Sequence, residues 1–480
     1  LLLVAGKGHE ETQDYGKRKL FFSDTQVILK SIKFKNKSLS NNLKLNIIKE
    51  VSNSAIPNKL NINNISINSK TIKKDDVFFA IIGKNFDGNK FIPEVLKKKS
   101  SFAVVNKINR NYPLSKQVKV KDTLNFLSKC SSIFRENINT KIISITGSCG
   151  KTTLKEMIGF TLSKISKTSY SPKSYNNKYG VPLSLFNIKN NDEFGVLEVG
   201  MDKKGEIDNL TKIIKPDLGI ITNISYAHSK NFKNINQIAD AKAEIMNNIK
   251  KGGTIVLNKD DKFYNFHKNL ALKKKLKVIS FGIKDKSSNI KLNKIKKVKN
   301  KYKLFIKTNS ISLVFYSNSD NKSNLYNILA TLASINLLVD ITKLKKDIFL
   351  DFKTPIGRGD TLKLKFRKKH FFLIDETYNS NPLSLKTAIE NYDNTKLKNS
   401  KKYLVLGDML ELGKHSLKQH KLISNILNKT NINYIYVIGN HIRETFKGLK
   451  ISKKAEILKN KFDIIDLINK KLNNNDYLMI

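Results

Sequence analysis

The sequence predicts an α/β protein of several domains, built on largely parallel sheets, and three observations carry that expectation. The chain has 480 residues, room for two to four domains of roughly 100–200 residues each. Apolar, β-branched runs of strand length alternate with helical stretches over most of its length, as in strand–helix–strand units. One such run, Lys141–Thr146, passes through a glycine turn directly into a helical stretch. A hydrophobic fraction of 40% is enough for ordinary cores and excludes wholesale disorder. No apolar run approaches the roughly 18–20 residues that a membrane-spanning helix needs. Leu1–Ala5 is too short for a signal-peptide core and has no basic stretch before it. Two cysteines, Cys130 and Cys149, make no disulfide framework and fit a reducing cytoplasm.

Charge is strongly one-sided. The chain carries 89 Lys and Arg against 40 Asp and Glu, a balance of +49. That invites a nucleic-acid partner. The excess is mostly Lys, however, dispersed through the whole chain among many Asn and Ile. It reads as composition spread over every surface rather than as an Arg- and aromatic-rich binding element. No nucleic-acid partner is expected, although the charge could attract anionic substrates from a distance. Lys97–Lys99 and Lys273–Lys275 read as solvated helix ends or faces.

The elements in chain order give five segments. Residues 1–32 form a short unit, too small to own a core, with Ser23 or Asp24 able to cap a helix around Thr25–Ile32. Residues 33–46 are Lys- and Asn-rich and read as a linker. Residues 47–138 alternate short strands and helices, with Val77–Ile82 expected as one buried strand before a loop carrying Gly83, Asp87 and Gly88. Residues 139–350 hold the glycine turn and strands at Gly195–Val199, Leu218–Thr222 and Thr254–Leu257. Residues 351–480 restart the pattern with strands at Phe371–Asp375, Tyr403–Leu406 and Tyr434–Ile438 and a helix from about Leu383.

Thr146-Gly147-Ser148-Cys149-Gly150-Lys151-Thr152-Thr153 is the strongest signal, because it follows a β-branched strand and precedes the helical stretch Leu154–Lys164. Gly147 and Gly150 let the backbone bend so that successive amides point at phosphate oxygens. The helix start adds partial positive charge. Lys151 would reach the β/γ-phosphates and the Thr152 hydroxyl would ligate Mg²⁺. Ile145 stands where the commoner, longer loop has its first glycine, so this loop is short. Cys149 reads as a small residue tolerated in a backbone-binding loop, the alternative being a reactive thiol at a helix N-terminus.

Downstream residues are ambiguous when taken singly. Glu198, ending the run Leu197-Glu198-Val199-Gly200, suits a Mg²⁺ ligand, a water-positioning base or a solvated strand-end carboxylate equally. His228, in Asn223–His228, could be a ligand or a base, and by itself is expected to be a surface residue. Lys242, in Ala239-Asp240-Ala241-Lys242-Ala243-Glu244-Ile245, is by itself expected to be an exposed helix lysine.

Taken in order, T-G-x-x-G-K-T-T, L-E-V-G, N-I-x-x-A-H and A-K-A-E-I resemble the Mur ligase family, the ATP-dependent amide-forming enzymes of peptidoglycan precursor synthesis. The resemblance runs from about residue 47 to the end. It is closest to the branch that adds D-alanyl-D-alanine to UDP-N-acetylmuramoyl-tripeptide, through Asn176–Pro182, Asp375–Pro382 and Gly407–Gly413. It implies a three-domain α/β architecture: a UDP-substrate domain, a central parallel-sheet P-loop ATPase domain and a Rossmann-like C-terminal domain. It also implies ATP and two Mg²⁺ ions, with Thr152 and Glu198 on the first metal, and His228 and a carbamoylated Lys242 on the second. Gly147, Ser148, Cys149, Gly150, Lys151, Thr152 and Thr153 would hold the nucleotide, with Asn324 and Asn327 on the base side. There Lys322 and Ser323 replace the family's Arg and His, which weakens that part of the resemblance. Arg358 and the pair Asp375 and Glu376 would close over ATP and receive the incoming amine. Ser69 and Lys70, Asn176 and Asn177, and Tyr378 and Asn379 would contact substrate. Asn68 and Lys70 depart from the family's Asp-Ser-Arg, and Lys keeps the charge but loses the bidentate fork.

Residues 1–32 resemble, through Val4–Glu10 and Phe22–Asp24, the C-terminus of the preceding, tripeptide-forming ligase of the same family. Gly6 and Glu10 would match its contacts to the added amino acid. A fusion fragment is therefore expected, truncated before the Lys-Gly-Ser loop that normally follows the last strand. A monomer acting in the cytoplasm is expected. Competing expectations are a folylpolyglutamate-type ligase with the same loop chemistry, a nucleotide-dependent nucleic-acid-binding protein, and a catalytically dead binding fragment.

Overall fold

The computed structural model describes residues 12–14, 19–21, 23, 43–53, 56, 60, 62–395 and 400–480. The expected helix at Thr25–Ile32 and the residues Gly6, Glu10 and Asp24 lie outside the described residues. Two short strands, β1 (Thr12–Asp14) and β2 (Lys19–Phe21), pair antiparallel. The chain divides into two compact units: residues up to 141 with 167–169 and 178–195, and residues 142–166, 170–177 and 196–480.

The first unit contains a helix, Leu43–Ser52, that begins inside the stretch expected to be a linker. Leu43, Leu45, Ile47 and Ile48 are buried in it, and that apolar face overrides the polar composition around it. A four-stranded parallel sheet follows, made of β3 (Ile65–Ser66), β4 (Val77–Phe79), β7 (Phe102–Val105) and β8 (Gln117–Lys119), in that order. The single strand expected over Val77–Ile82 is instead broken at Phe79. Ile82–Gly83 (β5) and Phe86–Asp87 (β6) form an antiparallel ribbon, and Ile82 is exposed. The cause is the return of the chain. The Gly88 amide donates to the Ile81 carbonyl at 2.9 Å, and a Cβ on Gly88 would stand 2.7 Å from the Ile81 backbone. Only glycine lets the loop close there. The helix Thr123–Glu136 opens on Asp122, whose carboxylate accepts from the Leu124 and Asn125 amides. Lys97 and Lys273 do end helices, as expected. Lys98 is partly covered, its ammonium donating to the Ser69 and Lys70 carbonyls.

Two further sheets are built mostly from residues of the second unit. Strands β9 (Lys141–Thr146), β10 (Thr168–Tyr170), β11 (Phe194–Glu198), β12 (Leu218–Ile221), β13 (Thr254–Asn258), β14 (Lys277–Gly282), β15 (Ile290–Val298), β16 (Lys301–Lys307) and β17 (Ser312–Ser317) form one sheet, in the order β10-β11-β9-β12-β13-β14-β15-β16-β17. It is parallel from β9 through β12, β13 and β14 to β15, and antiparallel across β15–β16–β17. β9 lies between β11 and β12, so the glycine turn, Glu198 and Thr222 emerge side by side at strand carboxyl ends, where open α/β sheets hold ligands.

The second sheet runs β18-β19-β23-β20-β21-β22, from β18 (Asp360–Phe366), β19 (Lys369–Asp375), β20 (Lys402–Gly407), β21 (Tyr434–Ile438), β22 (Lys454–Leu458) and β23 (Tyr477–Met479). Only β18–β19 is antiparallel. Alternate residues of β20 feed two cores. Leu404 and Leu406 pack with Ile389, Ile423 and Leu427, whereas Tyr403 and Val405 pack with Leu467 and Leu478. Burial on both faces explains why this strand reads as a continuous apolar run. Among the described residues no helix is long and apolar enough to cross a membrane.

Phe78 is fully buried in β4 among Ile72, Ile92 and Val105. Phe78→Ala should destabilise this unit by about 3–5 kcal/mol; denaturant unfolding followed by far-UV circular dichroism measures it.

Candidate active site

The site is built at the head of the helix Lys151–Ser163. Gly147 has φ +144°, and a Cβ there would meet the Thr222 hydroxyl at 1.9 Å. Gly150 ends the turn at φ +79°. Glycine is required at both positions by backbone conformation, and at the first by space as well. The turn is not a ring of inward amides as expected. The Ser148 amide donates to the Asn223 carbonyl at 2.9 Å, and the Cys149 amide to Asn223 Oδ1 at 3.0 Å. Asn223 thus fixes the turn from the end of β12. The amides at the start of the helix have no intrahelical acceptor, the arrangement that suits an anion.

Thr152 is the hub. Its hydroxyl donates to Glu198 Oε2 at 2.8 Å, lies 3.2 Å from Ser174 Oγ and accepts from the Arg358 guanidinium at 3.1 Å. Because an ionised carboxylate only accepts, the proton order is forced. Tyr378 Oη, 2.5 Å from Ser174, donates to it; Ser174 donates to Thr152; Thr152 donates to Glu198. Arg358 stacks over the Tyr378 ring, 4.2 Å from its centroid. The other oxygen of Glu198 accepts from Asn176 Nδ2 at 2.7 Å.

Two lysines converge on one carbonyl. Gly147 O accepts from Lys151 Nζ at 2.8 Å and from Lys242 Nζ at 3.1 Å. Lys242 is 1% exposed, so the surface-lysine expectation is overturned. Burial, reinforced by the Lys151 charge, holds its pKa well below the ordinary lysine value, and the amine is driven towards the neutral form.

His228 is half-buried rather than a surface residue, and sits in the left-handed region at φ +53°. Its Nδ1 is 2.5 Å from Glu411 Oε2 and 3.3 Å from Asp202 Oδ1, without hydrogen-bond alignment to either. Burial and the Lys151 and Lys242 charges push its pKa down, and Glu411 and Asp202 oppose them. Donor atoms of Asp202, His228 and Glu411 all lie within 4.8 Å of one another.

The family model described as Mur ligase middle domain matches residues 145–335. A UDP-N-acetylmuramoyl-tripeptide–D-alanyl-D-alanine ligase of Buchnera aphidicola subsp. Baizongia pistaciae is 33% identical over 435 residues, which are 88% of this chain and 90% of the relative. This chain belongs to that ligase family. The Rickettsia prowazekii relative of the same name is 30% identical, over 83% of this chain and 88% of its own length. Among solved structures, MurF from Acinetobacter baumannii superposes with a TM-score of 0.79 at 25% identity, covering 90% of this chain and 94% of that one. The MurF ligase of Thermotoga maritima in complex with ADP shares the fold, with a TM-score of 0.74 at 24% identity, covering 88% and 94%. Ligases of this family use ATP to form a C–N bond in peptidoglycan synthesis.

Within this MurF-type ligase, the expected residues divide. Lys151 and Lys242 meet at Gly147, and Thr152, Glu198, Asn176, Arg358 and Tyr378 form a second cluster that adjoins the first only along the chain at Lys151–Thr152, with Gly150 closing the turn between them. Asn327 joins the edge of that turn, with Oδ1 3.5 Å from the Cβ position of Gly150. Thr153 is half-buried in the first helical turn. Asn324 is used elsewhere: its amide donates to Ser317 Oγ and the Ser319 carbonyl, holding the junction of β17 with the helix Lys322–Ile335. Asp375 accepts from the Thr377 amide and hydroxyl. Asn177 and Asn379 are exposed. Ser69 and Lys70 belong to the first unit, where Asn68 Oδ1 accepts from the Lys70 amide. Cys149 Sγ lies 3.1 Å from Asn381 Oδ1, and burial raises its thiol pKa, which fits the unreactive reading. Sequence reasoning missed Ser174, Asn223, Asn381, Asp202 and Glu411 as members of the site. Asn223, Asn381 and Glu411 lie inside motifs that carried the family resemblance; Ser174 and Asp202 carried no signal of their own.

Glu376 faces Arg358, yet burial, with Asp375 and Asp360 nearby, raises its pKa from 4.5 to about 7. The folded state therefore holds this proton more tightly than the unfolded state, so the residue costs stability as pH rises from about 5 to about 7. Glu376→Gln should melt above the parent at pH 8, and that gap should close as pH is lowered to 5; a melting-temperature series across pH checks it.

Proposed function

We propose that this chain joins D-alanyl-D-alanine to the terminal carboxylate of UDP-N-acetylmuramoyl-tripeptide at the expense of ATP, acting in the cytoplasm as a monomer. The observation that carries this reading is the network in which Thr152 meets Glu198 while Lys151 and Lys242 share Gly147 O. The substrate carboxylate attacks the γ-phosphorus, ADP leaves, and an acyl phosphate forms. The dipeptide amine then attacks the acyl carbon, and inorganic phosphate departs from the tetrahedral intermediate.

The main obstacle is charge, since a carboxylate must approach an anionic triphosphate. Lys151 would turn from Gly147 O to the phosphates, and Arg358 would add a second cation beside them. Thr152 and Glu198 offer the hard oxygen donors that Mg²⁺ takes. His228, with Nδ1 free of an aligned hydrogen bond, and Lys242 would serve a second ion. Magnesium, when bound, would screen the phosphate charge. Lys242 suits carbamoylation because its buried amine is held towards the neutral, nucleophilic form: the neutral nitrogen bonds to the carbon of CO₂, one proton leaves it for solvent, and the amine becomes an anion with two oxygen donors. Glu376 and Asp375 would receive the incoming amine, and the Arg358–Tyr378–Ser174 contacts would help keep water from the acyl phosphate. Ser69 and Lys70, Asn176, Asn177 and Asn379 are proposed substrate contacts.

A folylpolyglutamate-type activity is disfavoured because relatives carrying the tripeptide–dipeptide ligase name align over nine-tenths of their length. Phosphate release from ATP should depend on both UDP-muramoyl-tripeptide and D-alanyl-D-alanine; release indifferent to either would sink the assignment. Lys151→Ala should lower turnover by at least about 10³-fold. Lys242→Ala should be strongly impaired and partly restored by millimolar formate or acetate; full activity without added carboxylate would exclude the carbamate.

A further inference from the structure

Lys155 lies one turn beyond Thr152 in the helix Lys151–Ser163, and it is 0% exposed. A buried ammonium is costly unless all its protons are engaged. Here they are: Nζ donates to the Ser171 and Lys173 carbonyls, and pairs with Glu156 Oε1 at 2.6 Å. The Tyr170 ring lies beneath, 5.9 Å away. The two carbonyls belong to a segment without regular structure, in which Lys173 adopts the left-handed region at φ +48°.

That same segment supplies the site. Ser174 reaches the Thr152 hydroxyl, and Asn176 donates to Glu198 Oε1. Asn176 is held from below as well, its carbonyl accepting from the Gly200 amide at 2.7 Å. A Cβ on Gly200 would come within 2.9 Å of Asn176 Cγ. We propose that Lys155 is a positioning residue for this ligase: it pins the segment 171–177 to the helix so that Ser174 and Asn176 orient Thr152 and Glu198 for the nucleotide-bound metal. An apolar side chain of the same length would fill the space but leave two carbonyls and one carboxylate unpaired, and the segment would lose its register against Glu198. The inference rests on the reading of Thr152 and Glu198 as metal-holding groups.

Binding of Mn²⁺ with ADP, followed by electron paramagnetic resonance on the full chain, tests it apart from turnover. Lys155→Met should raise the Mn²⁺ half-saturation by about 10- to 100-fold, the range for loss of a group that orients a metal ligand. Asn176→Ala should do likewise. The double variant should be no worse than the weaker-binding single, because both act along one chain of contacts. Lys155→Gln keeps a donor and should fall between Lys155→Met and the parent; should Lys155→Met not fold, Lys155→Gln with Asn176→Ala completes the same cycle. A Lys155 variant that melts lower yet binds Mn²⁺ within about twofold of the parent, or effects that simply add, would overturn the proposal. Glu198→Gln is the control. If it leaves Mn²⁺ binding intact, the metal reading of Glu198 fails; if it abolishes binding while the Lys155 variants do not, only the positioning role fails.

Discussion

Glu198 is the point at which the site is held together. Its two oxygens accept from two different parts of the chain, Thr152 at the head of the phosphate-loop helix and Asn176 on the segment after β10. The residue is 1% exposed, and a buried carboxylate survives only with such donors. Its place follows from topology: β11 neighbours β9, so the strand that ends in Glu198 runs beside the strand that feeds the glycine turn. On the other flank β12 brings Asn223 and Thr222 to the same turn, and the Thr222 hydroxyl donates to the Cys149 carbonyl at 2.7 Å. The turn is thus gripped by side chains from strand ends on both sides.

The same neighbourhood concentrates positive charge where the protein as a whole disperses it. Lys151 and Lys242 meet on one carbonyl, and the nearby Lys151 charge adds to burial in disfavouring the charged form of Lys242. Lys151 is partly exposed and Lys242 is not. The lowered pKa of Lys242 is therefore chiefly a product of packing. Ala239, Ala241 and Ala243 around it are all buried, and they bring the helix Ile235–Ala243 close enough for the lysine stem to be enclosed.

Much of this was legible in the sequence because it is local. The strand–turn–helix at 141–163 and the strands ending at Glu198 and Ile221 are encoded by β-branched runs, two obligatory glycines and a helix start, all close in the chain. What stayed hidden depends on contacts distant in the chain. Asn223 captures two turn amides some 74 positions earlier, and Glu411 reaches His228 from the second sheet's loops. Taken singly, His228 and Lys242 read as surface residues, and only the family resemblance pointed to a site that the fold then encloses. The misjudged elements have the same origin. The helix Leu43–Ser52 lies within Lys- and Asn-rich composition but owns an apolar face, and the run Val77–Ile82 is split by a glycine several residues further on.

The valence of the Thr152 hydroxyl limits what else can bind it. An alcohol has one proton and two lone pairs. The proton goes to Glu198, and the lone pairs face Ser174 and Arg358. The oxygen is fully subscribed, so any cation that takes a lone pair must displace one of those two partners. Ser174 is anchored through a segment fastened by Lys155, whereas Arg358 belongs to the Gly357–Gly359 turn, where both glycines have φ near or above +78°, and it carries a charge that a metal repels. The like charge falls on Arg358, not on Ser174. On the proposed reading, Arg358 is therefore the partner that would leave Thr152 for anionic oxygens, and it stands on the segment that leads into the second sheet.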